Sequence, residues 1–311
     1  MNNRLKEQIE KLNELRKERN AVILAHYYQE KDIQEVADFL GDSLALSQAA
    51  KKTDADVILF CGVHFMAETA KILNPTKLVL LPDLKAGCSL ADSAEPVAFK
   101  KWIDDHSGAV VISYINCSTE IKAMSDIICT SSNAVKIINS IPKDKEILFA
   151  PDKYLGKFVM KQAQRDLILW NGTCQVHEIF SEQELIRLIS LYPDAKVLAH
   201  PECPENILDY ADYIGSTSGI IKTARELNDK QFIILTETGI LNTLHKEIPN
   251  KEFIPVANLD GCACNECPYM KLNTMEKMIK ALKTLTPEIK IDEQLRLKAL
   301  KPLERMLELS K

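Results

Sequence analysis

The sequence predicts an α/β protein made of three parallel three-layer αβα domains, related by pseudo-threefold symmetry around a central site. The main observation is a repeat, because residues 21–50, 109–138 and 195–224 align without a gap, with starts 88 and 86 residues apart. In each stretch, short β-branched runs typical of buried strands alternate with helical patterns, which predicts parallel sheets with helices on both faces. The period is far too long for a solenoid repeat and indicates triplicated domains.

Residues 1–20 predict an amphipathic helix without the apolar core of a signal peptide, because charges alternate with apolar residues at helical spacing, namely Leu5, Ile9, Leu12 and Leu15. Each unit then has a first strand, a helical stretch and a second short apolar run. That run meets a small hydroxyl residue, which is Ser43, Ser131 or Thr217.

Two further strands complete each unit. One is predicted by VILFCGVHF, EILFAPDKY and FIILTETGI, and the other by KLVLLPD, DLILWNG and EFIPVAN. We expect the first unit to span residues 1–93, the second 94–180 and the third 181–271. The C-terminal helices of residues 272–311 are expected to pack on the first unit.

Composition limits the functional classes. The 311 residues carry a net charge of −5 without long charged blocks, which argues against a dominant nucleic-acid surface. No apolar run approaches the length of a membrane span, so we expect a cytoplasmic protein with no membrane partner. In that compartment the nine cysteines indicate burial, metal binding or catalysis rather than structural disulfides.

The repeat also predicts where a site lies. Parallel units of this kind bind ligands beyond the carboxyl ends of their strands. The residues that end the three first strands are His26, Tyr114 and His200, and two positions later the repeat carries Tyr28, Asn116 and Glu202. Two histidines in register indicate a shared role, either donation to a substrate carboxylate or proton relay near neutral pH. The remaining histidines are interpreted as surface or core residues: His64, His106, His177 and His245.

Each unit also places at least one cysteine in the loop after its last predicted strand. LVLLPDLKAGC reaches Cys88, LILWNGTC reaches Cys174, and FIPVANLDGCACNEC reaches Cys262, Cys264 and Cys267. Three thiolates around one axis suit an iron–sulfur cluster with one iron left uncapped, and an open position is typical of catalytic metal sites. Such an iron polarises a substrate oxygen and helps hydroxide leave, so the pattern indicates dehydration chemistry.

Other uses of these thiols stay open. Cys264 and Cys267 form a CxxC, which is half of a zinc site, although no second CxxC or nearby histidine pair completes it. A redox-active disulfide is also compatible with the motif and can coexist with a cluster. Burial is the simpler interpretation of the remaining cysteines, which are Cys61, Cys117, Cys129 and Cys203.

The three hydroxyl residues mark candidate anion sites. Ser43, Ser131 and Thr217 each stand where a strand is predicted to turn into a helix, and helix N-termini offer free N–H groups to carboxylate or phosphate. Their alternative role is that of simple N-caps, a position that serine and threonine favour in any case.

A set of motifs occurs in order from about residue 20 to the C-terminus: AHYYQ, GDS, GCSLAD, SYIN, TSSN, NGTC, AHPEC, GSTSG and CxxCPYM. Together they resemble quinolinate synthase of bacterial and archaeal NAD biosynthesis. The resemblance implies a [4Fe-4S] cluster with three cysteine ligands and one open iron. It implies condensation of iminoaspartate with dihydroxyacetone phosphate to quinolinate, with loss of phosphate and two waters. A transient partner, L-aspartate oxidase or aspartate dehydrogenase, would supply the iminoaspartate.

The same resemblance assigns residues. Cys88, Cys174 and Cys267 are the expected cluster ligands, the last because it immediately precedes PYMKLNTM. Repeat spacing hints instead at Cys262, which lies 88 residues after Cys174 whereas Cys267 lies 93 after it, but loop lengths vary. Glu202 and Tyr28 are the acid–base candidates. The expected sets are, for catalysis, Tyr28, Tyr114, His200 and Glu202, and, for substrate binding, His26, Ser43, Tyr114, Asn116, Ser131, His200, Glu202 and Thr217.

Two other functional classes would use similar cysteines or a similar architecture. A non-enzymatic iron–sulfur sensor would need the cysteines but not the constellation of His26, Tyr114, His200 and Glu202. A radical enzyme resembling those of diphthamide synthesis shares the triplicated architecture and the three-cysteine cluster, and the motifs AHPEC and GCSLAD speak against it.

Overall fold

A computed structural model describes residues 3–259 and 265–311. It contains three four-stranded sheets in which the strands pair in parallel, and helices connect them. The predicted α/β class with three sheet-containing units is therefore confirmed. Within the described ranges, no helix has the length and apolar character that a membrane crossing requires.

The chain begins with α1 (Asn3–Glu18), whose Leu12 and Leu15 are buried. The first sheet and its helices follow: β1 (Ala21–His26), α2 (Lys31–Val36), β2 (Phe39–Gly41), α3 (Ser43–Lys52), β3 (Val57–Cys61), α4 (His64–Leu73), β4 (Leu78–Leu80) and α5 (Ser89–Asp92). The five residues of β3 are all buried, as expected for a parallel strand covered on both faces.

The second and third sheets repeat this order. The second set is α6 (Pro96–Asp104), β5 (Val110–Tyr114), α7 (Thr119–Met124), β6 (Ile127–Cys129), α8 (Ala134–Asn139), β7 (Ile147–Ala150), α9 (Lys153–Ala163), β8 (Ile168–Leu169) and α10 (Gln175–Glu178). The third is α11 (Glu182–Leu191), β9 (Lys196–Ala199), α12 (Glu205–Leu208), β10 (Tyr213–Ile214), α13 (Thr217–Glu226), β11 (Gln231–Leu235), α14 (Ile240–Glu247) and β12 (Glu252–Pro255). A 3-10 turn (Met270–Leu272), α15 (Met275–Thr284) and α16 (Glu293–Leu309) end the chain.

The three sheets have one strand order. It is β2-β1-β3-β4 in the first, β6-β5-β7-β8 in the second and β10-β9-β11-β12 in the third. In each, the chain leaves the first strand in one direction and then crosses to its other side, which places a topological switch point beside that strand. Ligands of open parallel sheets bind beyond the carboxyl ends of the strands at this point.

A recurring aspartate holds the first two strands of each sheet in register. Asp38, Asp126 and Asp212 occupy one position of the repeat, just before the second strand. One carboxylate oxygen of each accepts a hydrogen bond of 2.8 Å from a backbone N–H of the first strand, at Ile23, Val111 and Val197 respectively. The same contact made three times supports the triplication read from the sequence.

The C-terminal helices lie on different parts of the molecule. We expected both on the first unit, and α15 does lie against α1 and β3, but α16 packs mainly on α7 and β6 of the second sheet. The reason is the buried face of α16, which includes Ala299 and Leu303 and joins the apolar core that the first and second sheets share. The third sheet has its own apolar clusters. The exact unit boundaries stay predictions.

Candidate active site

One cavity lies at the carboxyl ends of the first strands. It is lined by all the site residues that the sequence predicts, namely His26, Tyr28, Ser43, Cys88, Tyr114, Asn116, Ser131, Cys174, His200, Glu202, Thr217 and Cys267. The fold therefore brings these residues together, and their individual roles stay predictions.

His26 and His200 are held in the same way. The Nδ1 atom of His26 accepts the backbone N–H of Tyr28 at 3.2 Å, and Nδ1 of His200 accepts that of Glu202 at 3.4 Å. Because Nδ1 accepts, the neutral ring carries its proton on Nε2. Burial lowers the pKa of His26 to about 4 and that of His200 to about 3. Both rings are thus neutral donors at neutral pH, which supports carboxylate binding and argues against the proton relay near neutral pH.

Glu202 is a buried carboxylate with several donors. Tyr114 Oη donates to its Oε1 at 2.7 Å and Asn116 Nδ2 at 3.4 Å, while His177 Nδ1 lies 2.8 Å from its Oε2. Burial alone would raise the pKa of the Glu202 carboxyl, but His177, His200 and Tyr114 outweigh burial and lower it. The side chain is therefore held as a carboxylate at neutral pH.

Hydrogen bonds join the two acid–base candidates. Tyr28 Oη lies 2.9 Å from Thr217 Oγ1 and 2.7 Å from Thr236 Oγ1. Thr236 Oγ1 is 2.9 Å from His177 Nε2, and the other nitrogen of that ring contacts Glu202. Burial raises the pKa of the Tyr28 phenol well above its usual value, so it remains protonated. An unbroken line of polar contacts thus runs from a protonated phenol to a carboxylate.

The three predicted cysteine ligands have similar surroundings. Cys88 is the N-cap of α5, Cys174 is the N-cap of α10, and Cys267 precedes the 3-10 turn. Burial raises the pKa of Cys88 to about 12 and of Cys267 to about 11, and raises that of Cys174 well above its usual value. In each case the backbone N–H groups two and three residues later favour the ionised sulfur. A cationic centre is needed for all three to ionise.

No lysine or arginine is found among the described residues that line the cavity, whereas Asp42, Glu202 and Glu237 are. The three thiols form a donor set that fits a metal centre, which would supply the positive charge that three thiolates require. Sγ of Cys174, Nδ1 of His177 and a carboxylate oxygen of Glu202 also lie within 4.8 Å of one another, an arrangement that could hold a metal ion.

The hydroxyl residues are not the helix caps. Asp42 caps α3 by accepting from Ala45 N, and Ser216 caps α13 by accepting from Gly219 N. Ser43 and Thr217 are the first residues of these helices, and Ser131 lies in the turn ahead of α8. The N-cap alternative is therefore wrong, and the three side chains remain available to the cavity that they line.

Two buried oxygen atoms of the cavity wall lack a partner. Asn116 Oδ1 and Thr130 Oγ1 make no hydrogen bond to any residue that the structure describes. Burying such atoms without a partner costs free energy, so a water or a ligand in the cavity would stabilise them.

Two residues of this site are not predicted by the repeat or the motifs. His177, interpreted as a surface or core residue, lines the cavity and contacts Glu202, Cys174 and Thr236. Its signal was its place three residues after Cys174, on the turn that this cysteine caps. Glu237 follows the end of β11 by two residues, where a polar side chain beyond a buried strand marks the cavity rim.

The other cysteines divide into two groups. Cys61, Cys117, Cys129 and Cys203 are buried and are not among the residues that line the cavity. Cys262 and Cys264 lie outside the described residues, so the zinc and disulfide alternatives that involve them stay open.

Known proteins align with nearly the whole length of this chain. A family model described as quinolinate synthetase A protein matches residues 10–308. A quinolinate synthase of Rippkaea orientalis is 60% identical over 96% of this chain and 92% of its own length. Those of Trichodesmium erythraeum and Chloroherpeton thalassium are 60% and 59% identical over 97% of this chain, covering 93% and 94% of their own lengths. The chain belongs to the quinolinate synthase family.

Proposed function

We propose that this enzyme condenses iminoaspartate with dihydroxyacetone phosphate to form quinolinate, releasing phosphate and two waters. The observation that carries the proposal is the convergence of Cys88, Cys174 and Cys267 on one cavity with Glu202 and two neutral histidines. These residues come from three separate sheets. Packing within the core of any one sheet would not require them to meet.

The cavity suits small anionic substrates. The Nε2–H groups of His26 and His200 can donate to a carboxylate, and both are buried, which strengthens such bonds. The first turns of α3 and α13 add N–H groups beside Ser43 and Thr217, where the helix dipole favours an anion. The carbonyl oxygen of Asn116, without a partner in the described chain, can accept an N–H or O–H of the substrate.

Glu202 and Tyr28 are our acid and base. The carboxylate of Glu202 is ionised and can remove a proton from carbon, while the Tyr28 phenol is protonated and can donate to an oxygen that departs or shifts. Tyr114 orients Glu202, since its hydroxyl donates to the carboxylate at 2.7 Å. His177 and Thr236 connect the two groups, so the line of contacts can keep their protonation complementary during turnover.

Cys88, Cys174 and Cys267 would hold a [4Fe-4S] cluster with one iron left without a protein ligand. When bound, such a cluster supplies a Lewis acid that assists the loss of hydroxide. We assign the enzyme to the cytoplasm, where such thiols stay reduced, and expect L-aspartate oxidase or aspartate dehydrogenase to supply the unstable imine.

Anaerobic purification, followed by iron and sulfide analysis and an assay with iminoaspartate and dihydroxyacetone phosphate, tests this proposal. We expect Cys88→Ser, Cys174→Ser and Cys267→Ser each to lose activity and bound iron. Cys61→Ser is the matched control, because Cys61 is buried in β3 away from the cavity. Full activity in any of the three ligand variants would refute the ligand set.

A further inference from the structure

Three chain segments meet beside the cavity at a point that the proposed chemistry does not use. They are the loop after β1, the loop after β11 and the segment that carries Cys267. Gly239 marks how closely they approach, because a Cβ at this position would lie 2.8 Å from the Cα of Tyr28 and 2.7 Å from Glu237 Oε2. Only glycine fits there without moving the backbone of the first loop.

Glu237 joins two of these segments. Its side chain has no exposed surface, and its Oε1 accepts the backbone N–H of Cys267 at 3.1 Å. Its Oε2 accepts the N–H of Gly239 at 2.6 Å. A second contact runs alongside, since the N–H of Thr238 donates to the carbonyl of Asn265 at 3.2 Å. The carboxylate therefore holds the backbone of the third cysteine directly.

Lys271 links the loop after β1 to the other two segments. Its ammonium lies 3.3 Å from Glu237 Oε1 and donates to the carbonyl of Tyr28 at 3.1 Å. A second carboxylate, that of Glu30, is 3.4 Å away and half exposed. Lys271 is one turn after Cys267, and its N–H donates to the Cys267 carbonyl at 3.2 Å. Each end of this short turn is thus tied to the same buried carboxylate.

Cys267 depends on such a tie more than the other two cysteines do. Cys88 and Cys174 each cap a helix, whereas Cys267 is followed only by a turn and the 3-10 segment. Contacts of Glu237 and Lys271 with this segment therefore contribute more to the position of Cys267. In metal sites, groups that orient the ligands affect metal retention strongly.

We propose that Glu237 and Lys271 are positioning residues that hold Cys267 at the cavity and so determine how firmly the cluster is retained. The proposal rests on the cluster proposed above. It adds that the third ligand is held by an ion pair between the buried Glu237 and the partly exposed Lys271, which joins the first sheet, the third sheet and the C-terminal segment.

The test measures iron release from the reconstituted full-length enzyme. Wild type, Glu237→Gln, Lys271→Met and the double variant are reconstituted anaerobically, and loss of iron to an excess of chelator is followed by visible absorbance and iron analysis. We expect release from either single variant to be about tenfold faster or more, as for other groups that orient metal ligands. The double variant should release iron more slowly than Lys271→Met, because it does not leave a buried carboxylate without its cation.

Matched controls separate this role from general stability. Like Lys271→Met, Arg296→Met removes a cation that donates to a backbone carbonyl, here that of Ile72, but Arg296 lies on α16 and does not line the cavity. It should lower the thermal midpoint while leaving the rate of iron release within twofold of wild type. Glu237→Asp keeps the charge and shortens the side chain, so it tests positioning if Lys271→Met does not fold.

The outcomes are distinct. Wild-type protein that binds no iron would refute the proposed function itself. Wild-type protein that holds a cluster, with Glu237 and Lys271 variants that release iron at the wild-type rate, would refute only this inference. Equal acceleration in Arg296→Met would also refute it, because the effect would then follow stability rather than position.

Discussion

Replacement of His177 by glutamine should move the acid limb of the pH–activity profile to higher pH. His177 Nδ1 lies 2.8 Å from Glu202 Oε2, and both side chains are 3% exposed. Glutamine reaches the position of the ring Nε2 and can keep the contact with Thr236, but it leaves no donor at Nδ1. Glu202 then loses its strongest stabilising partner while the burial that raises its pKa remains.

The magnitude follows from that one contact. A hydrogen bond to a charged group contributes about 1.5–3 kcal/mol, and one pKa unit corresponds to about 1.4 kcal/mol. Because the pKa of Glu202 is lowered in the wild type, the ionised form is present above that pKa and is lost as pH falls through it. Removing the donor should therefore raise the pH at which kcat/KM begins to fall by about one to two units.

The assay is quinolinate formation, with kcat/KM measured from about pH 3 to pH 9 on anaerobically prepared enzyme, because the lowered pKa of Glu202 places the acid limb well below pH 5. His177→Asn is the matched control, because the asparagine amide places a donor near the position of Nδ1 and should keep the limb near its wild-type position. An acid limb of His177→Gln that coincides with those of wild type and His177→Asn would show that Glu202 is not the ionised group on which activity depends.

Three further outcomes are expected. Thr217→Val removes one of the two hydroxyl partners of Tyr28, and since a neutral hydrogen bond contributes about 0.5–1.5 kcal/mol, kcat/KM should fall by about twofold to tenfold in a steady-state assay. Asp126→Ala leaves the N–H of Val111 without its side-chain acceptor, and urea unfolding should show a loss of about 1–3 kcal/mol; an unchanged midpoint would count against the register role. Leu303→Ala opens a cavity under α16 and should cost about 2–5 kcal/mol by the same method, whereas a cost below about 1 kcal/mol would mean that the helix contributes little to the core.

Much of the fold could be predicted because the information is local. Buried parallel strands are short, continuous and rich in β-branched residues, so runs such as VILFC in β3 are recognisable without knowledge of their neighbours. Because the repeat occurs three times, each local pattern is observed three times. The positions of Ser43, Ser131 and Thr217 after the second strands follow from one alignment. The packing of α16 was harder to predict, because its apolar face is compatible with any apolar surface. Only the assembled core shows which surface the helix covers.

The site was predictable where a residue stands at a strand end and missed where it acts through a contact. His26, Tyr114 and His200 end equivalent strands, so topology alone directs them to one place. His177 has no counterpart in register, and its importance comes from lying against Glu202, which belongs to a different sheet. The same holds for Glu237, whose partner Lys271 is distant along the chain.

The amino-acid sequence alone was enough to predict the class of fold, the threefold repetition and the family. These features depend on periodicity and order along the chain, which a sequence contains directly. Only the tertiary structure decided the protonation of the site, because the pKa of a buried group depends on which charges and dipoles surround it. That is why His26 and His200 are neutral donors and Glu202 is an ionised carboxylate, although all three are equally buried.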